Sequence, residues 1–157
     1  MHKMTAIVFA LVTSVAGAQG PDPRLTTTDV EGIAKKPVHT VAAGALAGAG
    51  PGLNFASADN KMLVMVNFGT DVLYRRAKEQ KEMKMGSTTV PMVLFHADVP
   101  GIGDEAFDSP PGPVQYVIHL RKGTKGASLT TYFDTARAPR LPMEQLKALA
   151  KIVASRL

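Results

Sequence analysis

The chain has 157 residues, a formal net charge of +5 at pH 7 and no cysteine. Without cysteine it cannot form a disulfide or take a lipid anchor at a signal site. The basic residues are spread along the chain instead of forming the clustered positive face that nucleic-acid binding needs, so no nucleic-acid partner is expected.

The N-terminus has the three parts of a secretory signal peptide. Lys3 precedes an apolar stretch over residues 4–15, and Ala16-Gly17-Ala18 has the small residues of a cleavage site. The apolar stretch is too short for a membrane span, which needs about 20 residues. The sequence therefore predicts a cleaved signal peptide over residues 1–18, export to the periplasm or the cell exterior, and no transmembrane segment after cleavage.

The first part of the mature chain predicts a leader and a short helix. Residues 19–25 contain two prolines and predict a flexible leader, followed by one α+β domain over residues 26–157. Thr28 and Glu31 have the spacing of a capping box, and Pro37 ends the helix. The Ala- and Gly-rich residues 38–52 predict a flexible connection with an edge strand near its start.

Two strands and a second helix follow. Leu53 opens one predicted strand, and the apolar residues 62–68 predict a central one. Thr70-Asp71 caps a helix that is expected to extend to about Lys84. Its inner face is predicted to carry Val72, Leu73, Ala77 and Gln80. Its polar side carries five basic residues that ion pairs with Glu79 and Glu82 would explain: Arg75, Arg76, Lys78, Lys81 and Lys84.

The last third predicts an extended segment, a hairpin and a helix. Residues 90–99 are predicted to be extended, and residues 114–121 and 129–133 alternate on either side of a turn at 122–126. The final helix has Pro142 in its first turn. Apolar residues at helical spacing mark its inner face: Leu146, Leu149, Ala150, Val153 and Leu157.

The predicted element order is α-β-β-α-β-β-β-α. Runs of antiparallel strands with helices between them favour an α+β fold, here a single antiparallel sheet with about three helices packed on one face.

The pattern resembles a group of small exported domains of unknown function. The residues that carry the likeness are the opening Leu25–Val30 helix, Phe55, the Val99–Phe107 segment, Arg121-Lys122-Gly123 and the closing Ser155-Arg156-Leu157. Many of those domains are lipoproteins, and they are similar to extracytoplasmic sensor domains of bacterial membrane kinases. Because this chain lacks their lipobox cysteine and cysteine pair, the resemblance implies the fold and a sensor-like role but no surface anchor.

The loop before the predicted hairpin is the candidate binding surface, because loops held by a rigid sheet often carry function. Its candidate ligand- or partner-binding residues are Val99, Pro100, Gly101, Ile102, Gly103, Asp104, Glu105 and Phe107. The carboxylates Asp98, Asp104, Glu105 and Asp108 match no known calcium loop, so they are interpreted as turn residues. Met83, Met85, Met92 and His96 could bind a soft metal, but methionine also fills irregular cores, and no metal or cofactor is expected.

No catalytic motif stands out. The chain has no G-x-S-x-G segment, and the histidines of the predicted mature chain are scattered. We therefore expect a non-catalytic binding or sensor-like domain whose ligand is a protein, a glycan or a small molecule. Two alternatives remain open: a hydrolase using His96 or His119 with a loop carboxylate, and a metal- or cofactor-binding exported protein.

Overall fold

The computed structural model describes residues 22–112 and 115–157. The predicted signal peptide 1–18 and the first residues of the predicted leader lie outside these ranges. The helices are α1 (Thr27–Ala34), α2 (Asp71–Glu79) and α3 (Met143–Arg156). The strands are β1 (Val38–Val41), β2 (Leu53–Ser57), β3 (Met62–Thr70), β4 (Glu82–Met85), β5 (Thr88–Pro91), β6 (Ala97–Asp98), β7 (Glu105–Asp108), β8 (Gln115–Lys122) and β9 (Lys125–Tyr132).

Seven strands form one sheet in the order β1-β2-β3-β9-β8-β7-β6, and each neighbouring pair is antiparallel. Strands β4 and β5 form a separate two-stranded hairpin. The α+β class, the antiparallel sheet and the three helices are thus confirmed. The structure adds the second sheet and several short strands, such as the two-residue β6, which are too short to show an alternating pattern in sequence.

One face of the sheet packs against α1 and α3. Val66 on β3 and Leu129 on β9 are opposite one another and fully buried, and Ile118 pairs with Leu129 from β8. Leu149 and Val153 of α3 cover them from above in the same core cluster. Residues spaced by two on each strand share this face, so the core is continuous across the centre of the sheet.

The start of α1 differs from the predicted capping box. The N-cap is Thr26, whose side chain accepts a hydrogen bond from the Asp29 backbone nitrogen, and Asp29 caps in return. Leu25, immediately before the cap, is 1% exposed, and Val30 is fully buried. These two residues form a hydrophobic staple, which explains why the helix begins two residues earlier than expected and why the predicted leader is already packed at Leu25.

Helix α2 lies on the opposite face of the sheet, which differs from the expected arrangement of all helices on one face. Its buried residue Tyr74 packs on Phe107 with ring centroids 5.3 Å apart, and Phe107 stacks on His119 at 4.6 Å. His119 alternates with the core residues Ile118 and Leu120 along β8, so this aromatic cluster is on the other side of the sheet.

The predicted extent and inner face of α2 need correction. The helix ends at Glu79 because Gln80 takes an extended conformation, and residues 82–85 then pair with 88–91 around Gly86, whose φ is 62°. Val72 and Leu73, predicted to face inwards, are 56% and 55% exposed. Their positions follow from Tyr74, because a helix that buries residue 74 turns residues 72 and 73 outwards.

The predicted hairpin and final helix are confirmed, but the predicted turn over residues 122–126 is too long, because β9 already begins at Lys125. Strands β8 and β9 pair from Gln115↔Tyr132 to Lys122↔Lys125, which leaves a two-residue turn; the predicted strand residue Val114 lies outside the described residues. Four of the five predicted inner residues of α3 are buried, and Leu157 is partly buried. In the part of the chain that the structure describes, no helix has the length and apolar character that a membrane span requires.

Candidate functional surface

The predicted binding loop is mostly packed into the fold. Val99, Ile102 and Phe107 are 8%, 2% and 0% exposed, so their side chains contribute to the interior. Gly103 has a φ of 59°, and a Cβ there would lie 2.4 Å from the Arg121 carbonyl oxygen. The exposed part of the loop consists of Pro100 and Gly101, together with Gly103 and the two acidic residues that follow it.

Ion pairs fix those acidic residues. Glu105 Oε1 lies 2.7 Å from Arg121 Nη2, and its other oxygen is 3.8 Å from Lys78 Nζ. Asp104 accepts a hydrogen bond from the Gly123 backbone nitrogen at 2.7 Å. The hydrogen bond from Arg121 lowers the pKa of the Glu105 carboxyl. The loop is therefore held against α2 and β8, which supports a structural role for these carboxylates.

Asp98 belongs to the same network. Its carboxylate is 2.9 Å from Lys78 Nζ, and this hydrogen bond raises the pKa of Lys78. Among the described residues, no group of three or more histidine, aspartate or glutamate side chains could hold a metal ion.

Ser109 and His119 form a hydrogen-bonded pair that the sequence did not indicate. Ser109 Oγ is 3.0 Å from His119 Nε2. Burial lowers the pKa of His119 to about 4, so the ring is neutral at pH 7 and can accept a hydrogen bond from the serine hydroxyl. Ser109 follows β7 directly. Its backbone nitrogen donates a hydrogen bond to the Val117 carbonyl, which continues the β7–β8 pairing and places Ser109 on the same side of the sheet as Phe107 and His119.

A second histidine contacts a carboxylate next to this pair. His96 Nδ1 is 3.1 Å from Asp108 Oδ1, and the hydroxyl of Tyr116 donates to the other oxygen of Asp108. Burial, with the Asp108 hydrogen bond, raises the pKa of Tyr116. Asp108 therefore bonds to His96 and Tyr116, and these contacts tie β6 and the segment before it to β7 and β8.

These contacts supply part of what a serine hydrolase needs. A nucleophile and a base are within hydrogen-bond distance, as covalent catalysis requires. Ser109 is however only 6% exposed, and the small cavity of about 100 Å³ beside α2 is lined by His119 without Ser109. Asp108 orients His96 instead of His119, so the serine, histidine and aspartate do not form a relay.

The exposed apolar residues come from a different part of the chain. All the large hydrophobic side chains found exposed in the described ranges come from one stretch, residues 72–93. They are Val72 (56%), Leu73 (55%), Met83 (37%), Met85 (60%) and Val93 (53%). We call the outer side of α2 together with the β4–β5 hairpin the α2–hairpin surface.

The α2–hairpin surface contains a groove of about 720 Å³. Val72 on α2 and Met83 on β4 both line it. Every strand residue of the hairpin except the partly buried Val90 is exposed, and pairing continues one step past the hairpin through a 2.8 Å hydrogen bond from the Met92 backbone nitrogen to the Lys81 carbonyl. Neither β4 nor β5 joins the seven-stranded sheet, so each has an outer edge without a strand partner in the described residues.

The charges around the groove are not arranged as predicted. Arg75 pairs with Asp71 at 2.6 Å and Lys78 with Asp98, whereas Glu79 and Glu82 make no ion pair within the described part of the chain. Since the helix ends at Glu79, the expected i,i+4 partners beyond it lie on a strand. Across residues 22–112 and 115–157, no ion pair involves Arg76, Lys81 or Lys84.

Comparison of the chain with protein-family models, curated proteins and solved structures gave no match. The α2–hairpin surface could have been found in the sequence from one signal: Met83 and Met85 alternate just before Gly86, as in a hairpin strand. The helical interpretation of residues 80–84 concealed it.

Proposed function

We propose that this protein is an exported, non-catalytic domain of sensor-like type that binds a protein partner through its α2–hairpin surface. Export is supported by the signal-like leader, and the single observation that supports binding is the concentration of exposed apolar side chains on residues 72–93. Scattered exposed apolar residues are ordinary on a soluble protein, but exposed apolar side chains that line one groove together, as Val72 and Met83 do, mark an interaction surface.

The proposed partner presents an extended segment with apolar side chains and charged side chains of both signs. The groove offers Val72 and Met83 as apolar walls, and the edges of the hairpin offer backbone groups to an added strand. Four charged side chains that make no ion pair within the described residues line the groove: Arg76, Lys84, Glu79 and Glu82. Basic and acidic side chains on the partner would complement them.

A peptide selection tests this proposal. We expect the purified protein to enrich ligands from a displayed library of random peptides, with apolar residues over-represented beside charged residues of both signs. Val72→Asp should weaken binding of a selected peptide at least about tenfold, the effect of losing ~1.4 kcal/mol of binding free energy. Ala43→Asp adds the same charge at an exposed residue outside the surface and should leave affinity unchanged. Equal binding by both variants, or no enrichment at all, would overturn the proposal.

Export has its own test. N-terminal sequencing of protein isolated from its natural source should begin at Gln19. A start at Met1, with the protein inside the cell, would contradict this part of the proposal.

The Ser109–His119 pair favours a second candidate function, a small hydrolase. Their 3.0 Å contact is the observation that supports it. An ester panel should be assayed with the natural chain, with Ser109→Ala, and with Ser128→Ala as a control across the strand from His119. Hydrolysis that is lost in Ser109→Ala and kept in Ser128→Ala would establish an enzyme and would contradict the non-catalytic proposal.

A further inference from the structure

We propose that the methionine face of the β4–β5 hairpin binds a soft monovalent metal ion, Cu(I), through the thioethers of Met83, Met85 and Met92. The sequence suggests that such methionines fill a core, yet Met83 and Met85 are 37% and 60% exposed. This proposal does not depend on the protein partner described above.

The register of the hairpin places the three methionines on one face. Met83 and Met85 are two residues apart on β4, so they point to the same side with about 6.7 Å between their Cα atoms. Val90 is directly opposite Met83, and Met92 is two residues further along the same chain segment, still paired through its bond to Lys81. Met92 is therefore the diagonal neighbour of Met83, about 7–8 Å away.

These spacings suit a metal held between long side chains. Each thioether is three rotatable bonds from its backbone, so two neighbours at such spacings can converge on one ion. Met83 is adjacent to both other methionines and is the shared ligand. Met85 and Met92 provide the second and third sulfurs.

The chemistry favours Cu(I) over harder ions. Thioether sulfur is a soft ligand that selects Cu(I), whereas Ca²⁺ and Mg²⁺ require oxygen. The chain has no cysteine, so methionine is its principal soft ligand. His96, the fourth ligand considered from the sequence, bonds to Asp108 instead. Because a thioether carries no proton to release, metal affinity at this face should be independent of pH, unlike affinity at histidine or cysteine sites.

Silver(I), a redox-inert substitute for Cu(I), provides a direct probe. In protein labelled with ¹³C at the methionine methyl groups, one equivalent of Ag(I) should shift the signals of Met83, Met85 and Met92 and leave that of Met143 in α3 unchanged. Competition with a chromophoric Cu(I) chelator under anaerobic conditions should then give a dissociation constant that is the same at pH 5.5 and pH 7.5.

Methionine-to-leucine variants separate this proposal from protein binding. Met83→Leu keeps the apolar surface but removes the shared sulfur, so Cu(I) affinity should fall about tenfold or more, equivalent to ~1.4 kcal/mol. Met143→Leu is the matched control and should bind as the natural chain does. Absence of methyl shifts, shifts spread over all methionines, unchanged affinity in Met83→Leu, or a steep pH dependence would each overturn the proposal, whatever the peptide selection shows.

Discussion

Arg156, in the last turn of α3, binds Asp29, in the first turn of α1, through both terminal nitrogens of its guanidinium group. Nη1 is 2.6 Å from Oδ2 and Nη2 is 3.0 Å from Oδ1. The same Nη1 also donates to the Pro23 carbonyl at 3.3 Å. One arginine therefore joins the end of the last helix to the entry of the first.

Asp29→Asn should destabilise the protein by about 1 kcal/mol, because the amide loses the charge-assisted pair with Arg156. That hydrogen bond, with those of Thr26, holds the pKa of Asp29 well below its ordinary value of 3.8. A lowered carboxyl pKa stabilises the fold above pH 3.8, and this stabilisation disappears as the pH falls further. Urea unfolding at pH 7 and pH 2.5 measures both effects. A difference between variant and natural protein that persists undiminished at pH 2.5 would contradict this explanation.

Thr26→Ala should lower the free energy of unfolding by about 1 kcal/mol, because Thr26 is the N-cap of α1. Thr28→Ala is the control, since Thr28 is an exposed residue inside the helix and alanine favours helix there. Chemical denaturation of the two variants distinguishes the observed cap from the one that the sequence suggested. A larger loss at Thr28 would show that the helix starts later.

Acidification should destabilise the protein through His119. Its pKa is lowered from 6.5 to about 4 by burial, so the unfolded chain binds the proton at a higher pH than the folded one. Stability from this group is therefore complete above pH 6.5 and declines as the pH falls from 6.5 to about 4, by roughly 3 kcal/mol at most. His119→Phe keeps an aromatic ring on Phe107 and cannot take a proton. The unfolding free energy of this variant should fall less between pH 6.5 and pH 4 than that of the natural protein, even if the two values already differ at pH 7. If the unfolding free energies of the two proteins changed equally with pH, the pH effect could not be assigned to His119.

Two glycines of the Val99–Phe107 loop provide a matched pair. Gly101→Ala should cost about 1–2 kcal/mol, because its φ of 78° strains any side chain although no atom would crowd the new methyl group. Gly103→Ala has the same strain and a backbone oxygen 2.4 Å from the new Cβ, which should add about 1–3 kcal/mol. Thermal unfolding of both variants measures the difference. Equal losses would mean that the chain at Gly103 moves away from Arg121 without resistance.

The parts of the fold that could be predicted are those in which local and long-range preferences agree. The β8–β9 hairpin alternates clearly around a glycine turn, and α3 has apolar residues at helical spacing, so both elements were expected, although β9 begins before the predicted turn ends. The end of α2 could not be predicted in this way. Residues 80–84 have helix-forming composition. The segment is extended because β4 pairs with β5, which comes after Gly86.

The candidate surfaces could be predicted from local sequence patterns even less well than the end of α2. Val99, Ile102 and Phe107 resemble an exposed loop in sequence because glycines and acids separate them, yet each side chain is buried against another element. The Ser109–His119 contact joins the residue after β7 to a residue of β8 ten positions later, and it depends on the β7–β8 register. No local pattern encodes such a register, so contacts of this kind become visible only in three dimensions.

Because β4 and β5 bond to each other and to no strand of the large sheet, the hairpin can change its sequence without disturbing the core that folds the chain. Substitutions there should leave the melting temperature nearly constant, and under the proposed function they would alter which partner the protein binds. The architecture thus leaves this protrusion free to diversify among descendants that share an unaltered scaffold.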